Sequence, residues 1–231
     1  MEAFLMLMRW LHFLFGITWI GLLYYFNLVQ TPFFAETEAP VRSGAIQKLV
    51  PRALWWFRWG AMGTVIFGLL YFFAWWSTID MSFTAWTVAI ITGGTLGIIM
   101  WANVWFVIWP NQKIVIANAI ATAGGAAADP KAAGAGRRAG LTSRTNTLFS
   151  VPMLFFMGAA SHFPALIGPI TSGGLVTWVV IDGVIIAAIE YNALVGTQGS
   201  TKKPLDSVSG VIAAGFVAWA VLVIGIKIAM P

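Results

Sequence analysis

Cysteine is absent from this chain of 231 residues. That excludes disulfides, iron–sulfur clusters, thiolate metal sites and covalent attachment of a c-type haem. Charge is scarce as well. Asp, Glu, Lys and Arg make up 9% of the residues, against about 25% in a soluble domain. So little charge cannot cover a water-facing surface, which excludes an ordinary soluble enzyme and a disordered tail. The balance is +5 with a pI near 9.8, but the few cations are spread over loops. They do not form the clustered basic face that nucleic acid requires. The Walker loop, GxSxG, HExxH and a dinucleotide-binding glycine pattern are missing too, so any chemistry depends on a membrane-held cofactor or a partner.

What is present is hydrophobic: 59% of the residues. Apolar and polar residues do not alternate regularly, which argues against a β-barrel. The chain reads as all-α, a polytopic membrane helix bundle forming one integral membrane domain over residues 1–231. A span needs about 20 mostly apolar residues. Six runs qualify: Phe4–Val29, Leu54–Trp76, Thr84–Trp109, Leu148–Phe163, Gly174–Val195 and Val208–Met230. The first is a span and not a signal peptide, because Glu2 stands where a cationic start is needed and the run is too long. The fourth is interrupted by Pro152 and bounded by Pro164 and Pro169, which predicts a kink and an early helix end.

Lys and Arg set the orientation. Arg42, Lys48 and Arg52 lie between spans one and two. Lys113, Lys131, Arg137, Arg138 and Arg144 lie between three and four, and Lys202 and Lys203 between five and six. The other two connections have neither residue. These loops are therefore cytoplasmic, both termini are periplasmic, and the expected location is a bacterial inner (cytoplasmic) membrane, crossed several times. The connection 110–146 reads as a long cytoplasmic loop, with Ile114–Ala123 as an interfacial helix and the Ala/Gly-rich stretch Thr122–Ala139 as flexible. A short amphipathic helix is expected before Pro51. Gly60, Gly63, Gly93, Gly94 and Gly97 are candidates for close helix packing. Trp55, Trp56, Trp59, Trp75, Trp76 and Trp109 read as interfacial anchors. Trp10, Trp19, Trp101 and Trp105 lie deeper, as core or as the wall of a pocket for a flat ligand.

Polar side chains in hydrocarbon are candidates for function. His12 and His162 are the only histidines, and both fall in spans. At about 1.5 Å per residue, both belong to the outer half of the bilayer. Imidazoles at similar depth on different helices suit the two axial positions of a haem b, with the haem iron as the metal. They suit two separate hydrogen-bonded helix contacts equally well. Arg9 shares a helical face with His12, with Trp19 further along. Arg9 is a partner for a haem propionate, or snorkels to headgroups. Asp182 would complete a three-ligand zinc set with the two histidines, but nothing in the spacing brings it there. Asp182 and Glu190, at two depths of one span, are candidates for a proton path or for ion pairs. Asn27, Gln30, Asn103 and Asn146 are polar interior or capping candidates.

Three stretches together resemble a known family. One is Arg9-Trp10-Leu11-His12-Phe13-Leu14-Phe15-Gly16-Ile17-Thr18-Trp19-Ile20-Gly21, running on to Asn27-Leu28-Val29-Gln30. Another is Trp109-Pro110-Asn111-Gln112-Lys113. The third is Arg138-Ala139-Gly140-Leu141-Thr142-Ser143-Arg144-Thr145-Asn146, leading into Ser150-Val151-Pro152-Met153-Leu154-Phe155-Phe156-Met157 and His162. The chain resembles the membrane domain of bacterial urate hydroxylases, the urate oxidase N-terminal family. The resemblance implies urate hydroxylation, with electrons leaving through a c-type cytochrome domain outside the membrane. By motif match it carries over Arg9, His12, Asn111, Arg144, Asn146 and His162.

Here the sequence stops at Pro231 without a cysteine for c-haem. The expectation is therefore a membrane redox subunit, an oxidoreductase of that type, passing electrons to a separate periplasmic cytochrome or a larger membrane complex. Two other classes stay open: a non-catalytic anchor or assembly subunit, and a proton-coupled transporter.

Overall fold

Long apolar runs with few breakers have one solution in lipid, since every backbone N–H and C=O must be satisfied within its own segment. The computed structural model, which describes residues 1–79 and 81–231, follows this rule, and no strand occurs among the described residues. Helix α1 (Glu2–Tyr24) continues through a π-helical turn (Tyr25–Gln30) into α2 (Thr31–Glu36). Then come α3 (Ala39–Lys48) and α4 (Val50–Ser77). Helix α5 (Ala85–Ala102) passes through a second π turn (Asn103–Ile108) into α6 (Trp109–Ala123). The long α7 (Lys131–His162), α8 (Ser172–Leu194) and α9 (Val208–Ala229) complete the chain.

Five helical stretches are long and apolar enough to cross a membrane: Glu2–Glu36, Val50–Ser77, Ala85–Ala123, Ser172–Leu194 and Val208–Ala229. Each takes in one of the expected spans to within a residue at its ends. The remaining one, Leu148–Phe163, forms the second half of α7 and is not among the five. From Leu148 to the helix end at His162 the rise is about 22 Å at about 1.5 Å per residue, short of the roughly 30 Å hydrocarbon core. Its first half carries Arg137, Arg138 and Arg144. As expected from the prolines, Pro152 lies within α7 and the helix stops two residues before Pro164.

The segment 110–146, expected as a long loop with a flexible stretch at Thr122–Ala139, is instead mostly helical. Helix α6 runs to Ala123 and α7 begins at Lys131. Alanine is the strongest helix former, and here it outweighs the interspersed glycines. The short connection is fixed by Asn118 Oδ1, which accepts the Asp129 N–H at 2.7 Å, and by Asp129 Oδ1, which accepts the Lys131 N–H at 2.8 Å. Between α1 and α4, the expected short helix is present as two, α2 and α3.

The chain divides into two compact units. One comprises Met1–Leu69 and Trp101–Arg144, the other Leu70–Met100 and Thr145–Pro231. In the first, α1 and α4 pack through small residues. A Cβ on Gly60 would lie 3.1 Å from the Trp19 backbone nitrogen, and one on Gly63 would run into the Phe15 ring. Gly16 faces Thr64. In the second unit, a Cβ on Gly93 would lie 3.2 Å from the Met153 carbonyl, and one on Gly215 would lie 3.1 Å from the Leu148 carbonyl. Pro152, having no N–H, leaves that Leu148 oxygen without its helical donor. A Cβ added at Gly94 or Gly97 would meet nothing within 4 Å, so no close approach requires a glycine at either position, contrary to the packing role read for them.

Large apolar side chains on the helix exteriors are exposed: Trp10, Phe13 and Ile17 on α1, Val176, Val180 and Val184 on α8, and Phe216, Val217 and Ile224 on α9. In water such stripes drive association. Against lipid they carry no penalty, because acyl chains are as apolar as the side chains.

Candidate functional site

Both π turns precede a proline, Pro32 and Pro110. Proline cannot donate to the carbonyl four residues back, and its ring crowds that carbonyl. Widening the ladder by one residue relieves the crowding, and π turns of this kind concentrate at functional sites. Side chains add donors to neighbouring carbonyls at both turns. Thr31 Oγ1 donates to the Phe26 carbonyl at 2.8 Å, and Asn111 Nδ2 to the Val107 carbonyl at 2.7 Å.

The two turns border one pocket in the first unit. Phe26, Asn27 and Gln30 come from the first turn, Thr31 follows it, Ile108 closes the second, and Gln112 follows on α6. Val50, Leu54 and Phe57 of α4 and Ala139, Gly140 and Ser143 of α7 complete the lining. The cleft has a cavity volume of about 70 Å³ and is partly open to its surroundings. Its polar groups are unlike in role. Asn27, itself buried, spends its Nδ2 on the Leu23 carbonyl at 2.9 Å and on Ser143 Oγ at 2.8 Å, which leaves its amide oxygen as an acceptor. Gln30 Oε1 is buried with no hydrogen-bond partner. Gln112 adds a third amide. Phe26 and Phe57 meet edge to face at 5.4 Å and form an aromatic wall. Such a cleft offers carbonyl acceptors beside ring faces, and so suits a flat molecule with N–H groups on its rim.

The pocket draws on all three motif stretches: Asn27 and Gln30, Gln112, and Ala139, Gly140 and Ser143. Of the residues carried over by motif, none lines it. Asn111 turns back on its own helix through Val107. Arg144 follows Ser143 on α7, half-buried. Asn146, fully buried in the second unit, donates to the Met100 carbonyl at 2.9 Å and holds the end of α5. Gln112 and Ser143 were missed because no spacing rule marks them. The readable signal was confined to Asn27 and Gln30, two amides inside an apolar run just ahead of Pro32.

His12 lies apart from this pocket, half-buried on α1. Its Nδ1 donates to the Thr64 carbonyl of α4 at 2.8 Å, which fixes the neutral tautomer and leaves Nε2 as the lone-pair nitrogen. Gly68 makes the room, since a Cβ there would lie 2.8 Å from Nδ1. Gly68→Ala is therefore expected to push the imidazole off Thr64. Histidine nitrogen NMR should then show the single Nδ1–H tautomer of the wild type replaced by a mixture. Trp19 is buried at the α1–α4 contact, and Arg9 is exposed. His162 is exposed at the end of α7, in the second unit. No cluster of three or more His, Cys, Asp or Glu able to hold a metal ion occurs among the described residues, which leaves the zinc reading without a ligand set.

Asp182, in the middle of α8, is buried. Its Oδ2 accepts from Trp178 Nε1 at 2.9 Å and from Thr92 Oγ1 at 3.2 Å. Glu190 sits half-buried near the end of the same helix and has its own interactions.

Fold and apolar exterior together mark a helical protein with five stretches long and apolar enough to cross a membrane. The urate oxidase N-terminal family model matches residues 58–224, and the chain belongs to that family. The match takes in Gln112, Ser143, Arg144, Asn146 and His162; His12, Asn27 and Gln30 precede it. No curated protein and no solved structure matches the chain.

Proposed function

We propose that this chain is the membrane part of an oxidoreductase acting on urate or a closely related oxidised purine, with the substrate ring seated in the amide-lined pocket of the first unit. One observation carries the reading: the three stretches that resemble the family line a single pocket. The chemistry agrees. Urate is a flat bicycle with N–H donors around its rim, and the pocket offers amide oxygens of Asn27 and Gln30 against a Phe26–Phe57 wall. Glu2–Glu36 and Ala85–Ala123 have 35 and 39 residues, far more than the roughly 20 that a bilayer takes. Their π turns fall where each helix leaves the hydrocarbon, beside the Lys- and Arg-bearing connections. By the positive-inside rule that end is cytoplasmic.

Oxidation of such a ring with water as the oxygen source releases electrons, which leave for a separate acceptor. A haem b would supply one-electron carriage. His12 would hold the iron of such a haem through Nε2, because a metal-ligating histidine characteristically gives its other ring N–H to a carbonyl, as Nδ1 does to Thr64. A reduced-minus-oxidised spectrum of the gently extracted full chain is expected to show a b-type band that His12→Ala removes. A colourless preparation from haem-replete cells would take haem out of the reading and leave the pocket. The pocket itself is tested by calorimetric titration of the full chain with urate. Binding of urate and xanthine, with none of a sugar of similar size, is the expected result.

A further inference from the structure

We propose that Asp182 is a proton-binding site within the membrane-embedded part of the chain, taking up and releasing a proton on Oδ1. The inference is independent of the purine pocket. The two carboxyl oxygens of Asp182 are held differently. Oδ2 is fixed by two donors, Trp178 Nε1 and Thr92 Oγ1, and the indole N–H also lies 3.0 Å from the Thr92 hydroxyl. Oδ1 is buried and has no hydrogen-bond partner. All three residues are buried, Asp182 to 5% exposure. The neighbour beside the bare oxygen is Gly225 of α9, where a Cβ would lie 3.3 Å from Oδ1. The glycine thus keeps space next to the oxygen that the donors leave alone.

A charged carboxylate in hydrocarbon is costly unless a cation faces it. Each element against Asp182 can be read for one. Helix α5, which supplies Thr92, has no titratable side chain in Ala85–Ala102. Helix α9 has Lys227, which is exposed and donates to the Ala165 carbonyl at 3.3 Å. On α8 itself the other titratable groups are Glu190 and Tyr191, one half-buried and one exposed, two turns and more away. With no cation in place, a proton on Oδ1 is the means of neutralising the group. If Asp182 served only as an acceptor for Trp178 and Thr92, asparagine would do as well. Only an acid can gain and lose charge there. A metal cation fits poorly, since hard cations want six or more oxygens and this cluster offers the carboxyl and one hydroxyl that is itself donating.

The test is infrared spectroscopy of the full chain in lipid vesicles. The expected spectrum has a protonated-carboxyl C=O band that moves to lower frequency in D₂O and fades as pH is raised. Asp182→Asn should abolish the band and Glu190→Gln should keep it. Trp178→Phe and Thr92→Val each remove a donor to Oδ2 and should shift the band, which keeps the test open if Asp182→Asn does not fold. A band unchanged in both donor variants and in Asp182→Asn overturns the proposal. So does a wild-type band that neither exchanges nor titrates. Loss of the band on adding Na⁺ at fixed pH overturns it in favour of a cation site.

Discussion

Gln30→Leu is expected to weaken urate binding by about 10- to 100-fold while leaving the fold as stable as before, or more so. Gln30 Oε1 is buried at the pocket with no partner. A buried acceptor left unmade is a standing penalty of about 1–3 kcal/mol. A ligand N–H that meets this oxygen relieves the penalty on binding, and about 1.4 kcal/mol is tenfold in affinity. Leucine has a similar volume, removes the orphaned oxygen, and cannot accept the ligand proton. Paired calorimetry and thermal unfolding of the full chain separate the two effects. Asn27→Leu should behave differently, because Asn27 also ties the first π turn to Ser143 at 2.8 Å. It should lose both binding and stability. Gln30→Leu with unchanged affinity would exclude the pocket as the ligand site.

Gly60→Leu is expected to destabilise the first unit by about 1–3 kcal/mol or more, the range for forcing extra volume into a packed contact. At Gly60 the obstacle is backbone, with the Trp19 nitrogen 3.1 Å and the Trp19 Cα 3.3 Å from an added Cβ, so no rotamer change relieves it. Gly21→Leu is the matched control. Gly21 is on α1 with nothing within 4 Å, and replacing an exposed helix glycine gains about 1 kcal/mol in propensity. Because His12, Phe15 and Trp19 line the same helix face, Gly60→Leu should also disturb the His12–Thr64 bond, visible in the same nitrogen NMR experiment as Gly68→Ala. Detergent unfolding that shows no difference between Gly60→Leu and Gly21→Leu would mean that α1 and α4 do not pack as described.

The membrane-crossing helices were legible in the sequence because lipid allows few alternatives. Where the solvent is hydrocarbon, length and apolarity decide the segment, and the expected spans one, two, three, five and six fall, to within a residue, inside helical stretches long and apolar enough to cross. Legibility failed where water begins. The Ala/Gly-rich 122–139 has no hydrophobic period to read, and glycine content suggested flexibility where alanine's helix preference prevails. The site was half legible. Asn27 and Gln30 stood out as polar groups in an apolar run. Gln112 and Ser143 did not, because their role comes from α6 and α7 meeting beside α4, a juxtaposition with no trace in local spacing. The motif residues Asn111 and Asn146 are polar groups that serve the backbone, capping carbonyls of Val107 and Met100.

Each π turn also has a consequence for how the chain can vary. It adds one residue to a turn, so all that follows is rotated by roughly 100° relative to an uninterrupted helix. On the first helix the greasy stripe of Trp10, Phe13 and Ile17 and the ligand-facing edge of Asn27 and Gln30 lie on different faces. Drift along the lipid-facing side leaves the recognition edge untouched. A single-residue deletion at Leu28 or Val29, by contrast, would rotate Gln30 and Thr31 about the helix axis relative to Asn27 and break up the edge without altering one amide.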